Sequence, residues 1–161
     1  MDRFLDRLVG SWNLTGVMGD KKLFQKAVGR WVLKGLFIEL RFHATRIGES
    51  GNPPYEALYL IGYDSKLKNY VLHLFDTFGV TSNPVAGIGK RSSNTVRFEF
   101  SYGSGPFINT FTWHPKRRTW TMTLVSLAEG KTETFARKEM TLQGKTTNVS
   151  EPQKTADMLT A

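Results

Sequence analysis

His43, His73 and His114 are the imidazoles of this chain, and with no cysteine beside them they bound its metal and nucleophilic chemistry. No two of them stand at metal-ligand spacing, and no pair of carboxylates is spaced for joint acid–base work. His114 precedes Pro115 in a basic turn and reads as a solvated residue. His43 shares an alternating face with Glu39 and Arg41, which points it to water. His73 differs, because Val71, His73 and Phe75 form a face as apolar as the one opposite. A core histidine is the simpler reading of it. The alternative is a haem ligand or an enzymatic base, with Asp76 close by. Residues three apart on a strand project to opposite faces, so His73 and Asp76 share one cavity only if a bulge intervenes.

Two glycine-rich segments resemble catalytic loops and fail as such. Gly87-Ile88-Gly89-Lys90-Arg91 has Pro84 where a phosphate loop needs its first glycine and Arg91 where it needs Ser or Thr, and no helix follows. Gly103-Ser104-Gly105 joins two strand patterns and lacks the strand-to-helix setting of a nucleophile elbow. Arg137 remains, in the last strand pattern. If that strand pairs with the first, its guanidinium is expected to stack on the Trp12 indole as a closure clamp, with ligand binding as the other role.

The elements that position these residues are almost all strands. Phe4, Leu5, Leu8 and Val9 stand at helical spacing, predicting a short N-terminal helix or turn. Gly10-Ser11-Trp12 then opens a first strand to Met18. A second covers 22–28 and 30–33, with a bulge expected at Gly29. From Gly35 to Thr45, Leu36, Ile38, Leu40, Phe42 and Ala44 alternate against Phe37, Glu39, Arg41, His43 and Thr45, as in a half-buried strand. Tyr55–Tyr63, Asn69–Thr77, Thr95–Tyr102, Phe107–Trp113, Thr119–Leu127 and Thr132–Leu142 follow. Gly79–Lys90, broken by Pro84, Gly87 and Gly89, is expected to be an irregular or edge pair. About nine or ten strands with short links make an up-and-down meander, and such a sheet closes to remove its edges. The fold class is therefore all-β, a closed antiparallel up-and-down barrel in one domain over 1–142, followed by a polar tail over 143–161.

The chain has 161 residues and 22 basic against 14 acidic side chains, a formal charge of +8. That charge favours acidic partners, but no nucleic-acid module accompanies it. Asp2, Arg3, Asp6 and Arg7 interrupt the first ten residues, which do not read as a signal peptide, and no segment is a membrane span. A cytoplasmic location is expected.

Several ordered motifs resemble a known group. Leu8-Val9-Gly10-Ser11-Trp12, Val32-Leu33-Lys34-Gly35, Leu60-Ile61-Gly62-Tyr63-Asp64, Phe75-Asp76-Thr77 and Thr134-Phe135-Ala136-Arg137 are similar to a bacterial domain-of-unknown-function family with an N-terminal Gly-x-Trp. More distantly, Gly-x-Trp with a late-strand arginine resembles the calycins: lipocalins, nitrobindins, streptavidin and fatty-acid-binding proteins. The resemblance covers roughly residues 4–142 and implies a calycin-like barrel with no established activity. Nitrobindin-like proteins hold haem through a C-terminal histidine, and Thr132 to Ala161 contains none. Fatty-acid-binding proteins hold a carboxylate with Arg-x-Tyr in the last strand, where this chain has Arg137-Lys138-Glu139.

The expected function is non-enzymatic binding of a small apolar or amphipathic molecule inside the barrel, with no cofactor or metal. Trp12, Leu40, Phe42, His73, Phe98, Phe100, Phe111, Trp113, Trp120, Met122 and Arg137 are the expected ligand-binding residues. The competing reading is that these side chains meet across the barrel and fill it. The homo-oligomeric state is left open.

Overall fold

Ten strands form one closed antiparallel barrel in the computed structural model, which describes residues 3–45, 54–79 and 85–144. The strands are β1 (Gly10–Met18), β2 (Lys21–Val32), β3 (Phe37–Ala44), β4 (Glu56–Asp64), β5 (Asn69–Asp76), β6 (Gly87–Ser92), β7 (Thr95–Tyr102), β8 (Gly105–His114), β9 (Thr119–Ala128) and β10 (Lys131–Leu142). Each pairs with its sequence neighbours, and β1 closes on β10 with Trp12 opposite Leu142 and Met18 opposite Ala136. Short 3₁₀ turns at Leu5–Leu8 and Leu33–Gly35 are the helical elements among the described residues. No helix among them is long and apolar enough to cross a membrane.

The barrel follows from period-two patterning. Directly opposed residues share a face, so Trp12, Ala27, Phe42, Ala57 and Asp76 lie on one face across five strands. That face is the interior. The alternation expected of Ile38, Leu40 and Phe42 holds, and all three are buried. Leu36 departs from it, standing exposed after the Leu33–Gly35 turn. β2 runs unbroken through Gly29, without the expected bulge, because Gly29 keeps register with both Gly10 and Leu40. The ladder shifts instead in β10, between Thr134 and Ala136. Closure leaves β6 with two neighbours rather than as an edge, although only three of its residues pair with β5. Part of the irregular segment expected over 79–90 (80–84) and most of the tail expected over 143–161 (145–161) lie outside the described residues.

Gly87 and Gly89 have a packing role. A Cβ at either would stand 2.7 Å from ring atoms of Phe100 or Phe98 respectively. Their missing side chains leave room for two phenyl rings close against the β6 backbone. The apparent phosphate loop is thus a seat for core aromatics.

One end of the barrel is stoppered by the N-terminal turn. Phe4, Leu5 and Leu8 are buried against Trp12, Ile61, Val96 and Trp120. All four tryptophans of the chain engage this segment. Trp12 Nε1 donates to the Leu8 carbonyl at 2.9 Å, Trp120 Nε1 to the Arg7 carbonyl at 3.0 Å, and Trp31 Nε1 to Asp6 Oδ1 at 2.9 Å. Trp113 carries the Arg7 guanidinium 5.9 Å from its ring centroid. A one-turn helix cannot bond its own last carbonyls, and two indoles supply the missing donors. Gly29 completes the seat, since a Cβ there would collide with the Leu8 carbonyl.

Trp12→Ala is expected to destabilise the protein by about 3–5 kcal/mol through the cavity it leaves. Trp12→Phe is expected to cost about 1–3 kcal/mol through the unpaired Leu8 carbonyl. Urea unfolding followed by circular dichroism checks both, and losses no larger than those of an exposed substitution would contradict the stopper role.

Candidate functional site

The inward row of β10 reads Ala136, Lys138, Met140, because side chains two apart share a face, and all three are buried. Lys138 therefore projects its ammonium into the barrel from an otherwise apolar row, and the residue is only 4% exposed. Its register partners are Gly16 on β1 and Met122 on β9, neither of which offers an oxygen or nitrogen acceptor in its side chain. Lys138 Nζ donates to Gln25 Oε1 at 3.0 Å and lies 5.4 Å from the Phe42 centroid and 5.6 Å from that of Tyr55. An ammonium has three donors, and among the described residues Gln25 accepts from one. Burial lowers the Lys138 pKa from its ordinary 10.5 to about 8, with the Asp76 charge pulling the other way. Desolvation wins over attraction to the carboxylate.

Four further polar side chains, those of Asn109, Tyr55, Tyr59 and Tyr102, share this part of the interior. Asn109 sits between Phe107 and Phe111 on the inward row of β8 and is fully buried. Its Nδ2 donates to the Tyr59 hydroxyl at 3.4 Å, while Asn109 Oδ1 is buried without a partner among the described residues. The Tyr59 pKa is raised well above 10, first by burial and then by charge on Tyr55. Tyr55 is raised by burial and by Asp76, against a hydrogen bond to Tyr59 that lowers it. Tyr102 is raised for the same two reasons, burial first. These tyrosines are neutral donors at physiological pH. Small residues accompany the polar ones, since Gln25 pairs with Ala44, Asp76 with Ala57 and Lys138 with Gly16.

From this level a run of aromatic rings continues into the stoppered half. Phe42 meets Tyr59 at 4.8 Å between centroids, Tyr59 meets Phe111 at 6.3 Å, and Phe111 meets Phe98 at 6.0 Å and Trp120 at 6.3 Å. Between this layer and the N-terminal turn a void of about 10 Å³ remains. That is room for a single water at most. Of the expected binding residues, Trp12, Leu40, Phe98, Phe111 and Trp120 pack the stoppered half, Trp113 is half-buried at its rim, and Phe42, Phe100 and Met122 stand nearer the polar level.

Two expected residues are elsewhere. Arg137 is exposed on the outer face opposite Val17, five positions along the strand from the Trp12 pair, so it neither stacks on that indole nor lines the interior. The neighbour that faces inward is Lys138. His73 also lies on the outer face, in register with Leu60 and with its ring 6.3 Å from Phe37. No bulge breaks β5 between His73 and Asp76, so their opposite orientations stand. His43 and His114 face outward too, His114 Nε2 lying 2.8 Å from Thr121 Oγ1. No histidine reaches the interior, and no group of three or more potential metal ligands occurs among the described residues.

Lys138 and Asn109 were legible in principle. In Ala136-Arg137-Lys138-Glu139-Met140, period two puts Lys138 with the apolar residues and Arg137 outside. The same rule puts Asn109 with Phe107 and Phe111. A polar residue on an otherwise apolar row is the signal. No protein-family model matches the chain, and no curated protein does.

The depressed lysine pKa sets a pH dependence. Between about 8 and 10.5 the unfolded state holds a proton on Lys138 that the folded state has released. Stability therefore rises with pH across that window. Below it the buried charge costs about 3 kcal/mol, an order-of-magnitude figure from the shift. The raised tyrosines act oppositely above about pH 10, where the unfolded chain loses their protons. The difference in unfolding free energy between the wild type and Lys138→Met is expected to move in the wild type's favour from pH 8 to 10. A pH-independent difference in urea unfolding would contradict a buried ammonium.

Proposed function

We propose that the protein binds a small amphipathic molecule in the polar half of the barrel, without catalysis, its acidic or carbonyl head facing Lys138. One observation carries this reading: a lysine about nineteen-twentieths buried with a single described hydrogen-bond partner, Gln25. A buried ammonium with unfilled donors is costly. A ligand oxygen would fill a donor and offset part of that cost. The partnerless Asn109 Oδ1 offers a second point of recognition, for a ligand hydroxyl or N–H. The rings of Phe42, Tyr55 and Phe100 would cover the apolar part. The filled stoppered half confines the ligand to the end of the barrel where Lys138 stands.

Three of the motifs that resemble the bacterial Gly-x-Trp family gather at the stoppered end: Trp12 opens β1, Val32–Gly35 ends β2, and Leu60–Asp64 ends β4. Phe75-Asp76-Thr77 and the stretch around the β10 shift are at the polar end. A calycin-like barrel, closed at one end and receiving ligand at the other, accounts for both groups.

Octanoate and octanol, measured by isothermal titration calorimetry, test the reading. Wild type is expected to prefer octanoate, and Lys138→Met to weaken octanoate about tenfold or more while leaving octanol little changed, as follows from losing a charged hydrogen bond. No binding of either probe, or equal loss of both in a variant that still folds, would contradict it.

A further inference from the structure

On the outside of the stoppered end lies a cleft of about 810 Å³, separated by the N-terminal turn from the interior. Its walls come from the turn Leu33–Gly35, the β4–β5 turn and the end of β6, with Trp31, Tyr63 and Tyr70 as aromatic surface. Lys34, Lys68, Lys90 and Arg91 line it, and Lys66 stands exposed on the β4–β5 turn. Arg91 is already engaged, donating from Nε to the Ser93 carbonyl at 2.8 Å and lying 4.2 Å from the Phe4 centroid. None of the four lysines forms an ion pair with a described carboxylate. The nearby acids have structural partners. Asp64 Oδ1 accepts from the backbone N–H groups of Lys66 and Leu67 at 2.9 and 3.0 Å, and Asp6 accepts from Trp31.

The same two turns expose leucines. Leu33, Leu36 and Leu67 are 62%, 68% and 71% accessible, the three most exposed large apolar side chains among the described residues. Each is next to a lysine or within two residues of one, in Leu33-Lys34-Gly35-Leu36 and Lys66-Leu67-Lys68. Clustered exposed leucines mark a surface that gains by leaving water. Lysines beside them favour an anionic partner.

We propose that this end of the barrel docks on an anionic lipid bilayer, the leucines entering the interface and the cleft lysines meeting lipid phosphates. Nucleic acid would satisfy the lysines but offers no apolar phase to the leucines. A second copy of the chain would bring the same cationic face against this one, which repels. A bilayer with acidic headgroups satisfies both. The proposal is independent of any ligand inside the barrel.

Co-sedimentation with vesicles tests it, using phosphatidylcholine alone against phosphatidylcholine mixed with phosphatidylglycerol. Binding is expected only to the mixed vesicles and to weaken as salt rises. Lys34→Glu with Lys68→Glu is expected to weaken partitioning by about fivefold or more per position. Leu33→Ala, Leu36→Ala and Leu67→Ala combined are expected to weaken it about tenfold or more with no change of charge. All these positions are exposed, so circular dichroism and urea midpoints should match the wild type. No sedimentation with the mixed vesicles at low salt would overturn the proposal. Binding undiminished in the leucine variant would do so too, as would a single-stranded oligonucleotide bound tightly by a protein that ignores the vesicles.

Discussion

The structure depends on the docking of one short turn. A ten-strand barrel closed by backbone pairing still has two open ends, and an open end exposes the apolar inward rows. Leu5–Leu8 solves this at one end by burying Phe4, Leu5 and Leu8 beneath the barrel. So short a helix has little stability of its own. What holds it is the pair of indole donors from Trp12 and Trp120 to its carbonyls, with Trp31 fixing the Asp6 side chain. Large aromatics with a polar edge suit this task, since they fill volume and bond at one atom. The indoles come from β1, β2 and β9, so the turn ties together strands far apart in sequence.

From that constraint the interior acquires a polarity along its axis. Against the turn, Phe98, Phe111 and Trp120 meet edge to face and leave almost no void. Toward the other end the inward positions change character, with Gln25 opposite Leu14, Asn109 opposite Phe98, and Lys138 two positions along β10 from Met140. Lys138 bears the consequence. Its charge is desolvated more than Asp76 can offset, and its pKa falls to about 8. A barrel built only for stability would place an apolar side chain there, because replacing buried charge with well-packed apolar groups is commonly neutral or stabilising. The proposed recognition role within the barrel rests on this lysine.

Most of the architecture was readable from alternation. Ile38-Leu40-Phe42 and Trp120-Met122-Leu124 each announce a strand with one buried face, and short links between such strands leave few topologies besides a meander. A short N-terminal turn was visible in the spacing of Phe4, Leu5 and Leu8, as was Trp12 at the opening of the first strand. Its partner was not visible, because an indole bonding a backbone carbonyl leaves no trace in residue types. Arg137 is a charged residue near the closing strand pair, yet the shift between Thr134 and Ala136 and the parity of β10 place it outside. His73 shows the limit of composition. Both faces of β5 are apolar, so the sequence does not say which is inward, whereas pairing with Leu60 on β4 decides it. The outer cleft was hidden for a related reason. Its lysines come from three separate connections, and only closure brings them to one rim.

The most direct test of the account is the titration of the Lys138 side chain itself, followed by NMR of lysine Cε in the free protein and with octanoate added. One lysine is expected to titrate near pH 8, to be missing in Lys138→Met, and in the wild type to move its midpoint upward when the anion binds. A midpoint at the ordinary lysine value, or one that octanoate leaves in place, would contradict it.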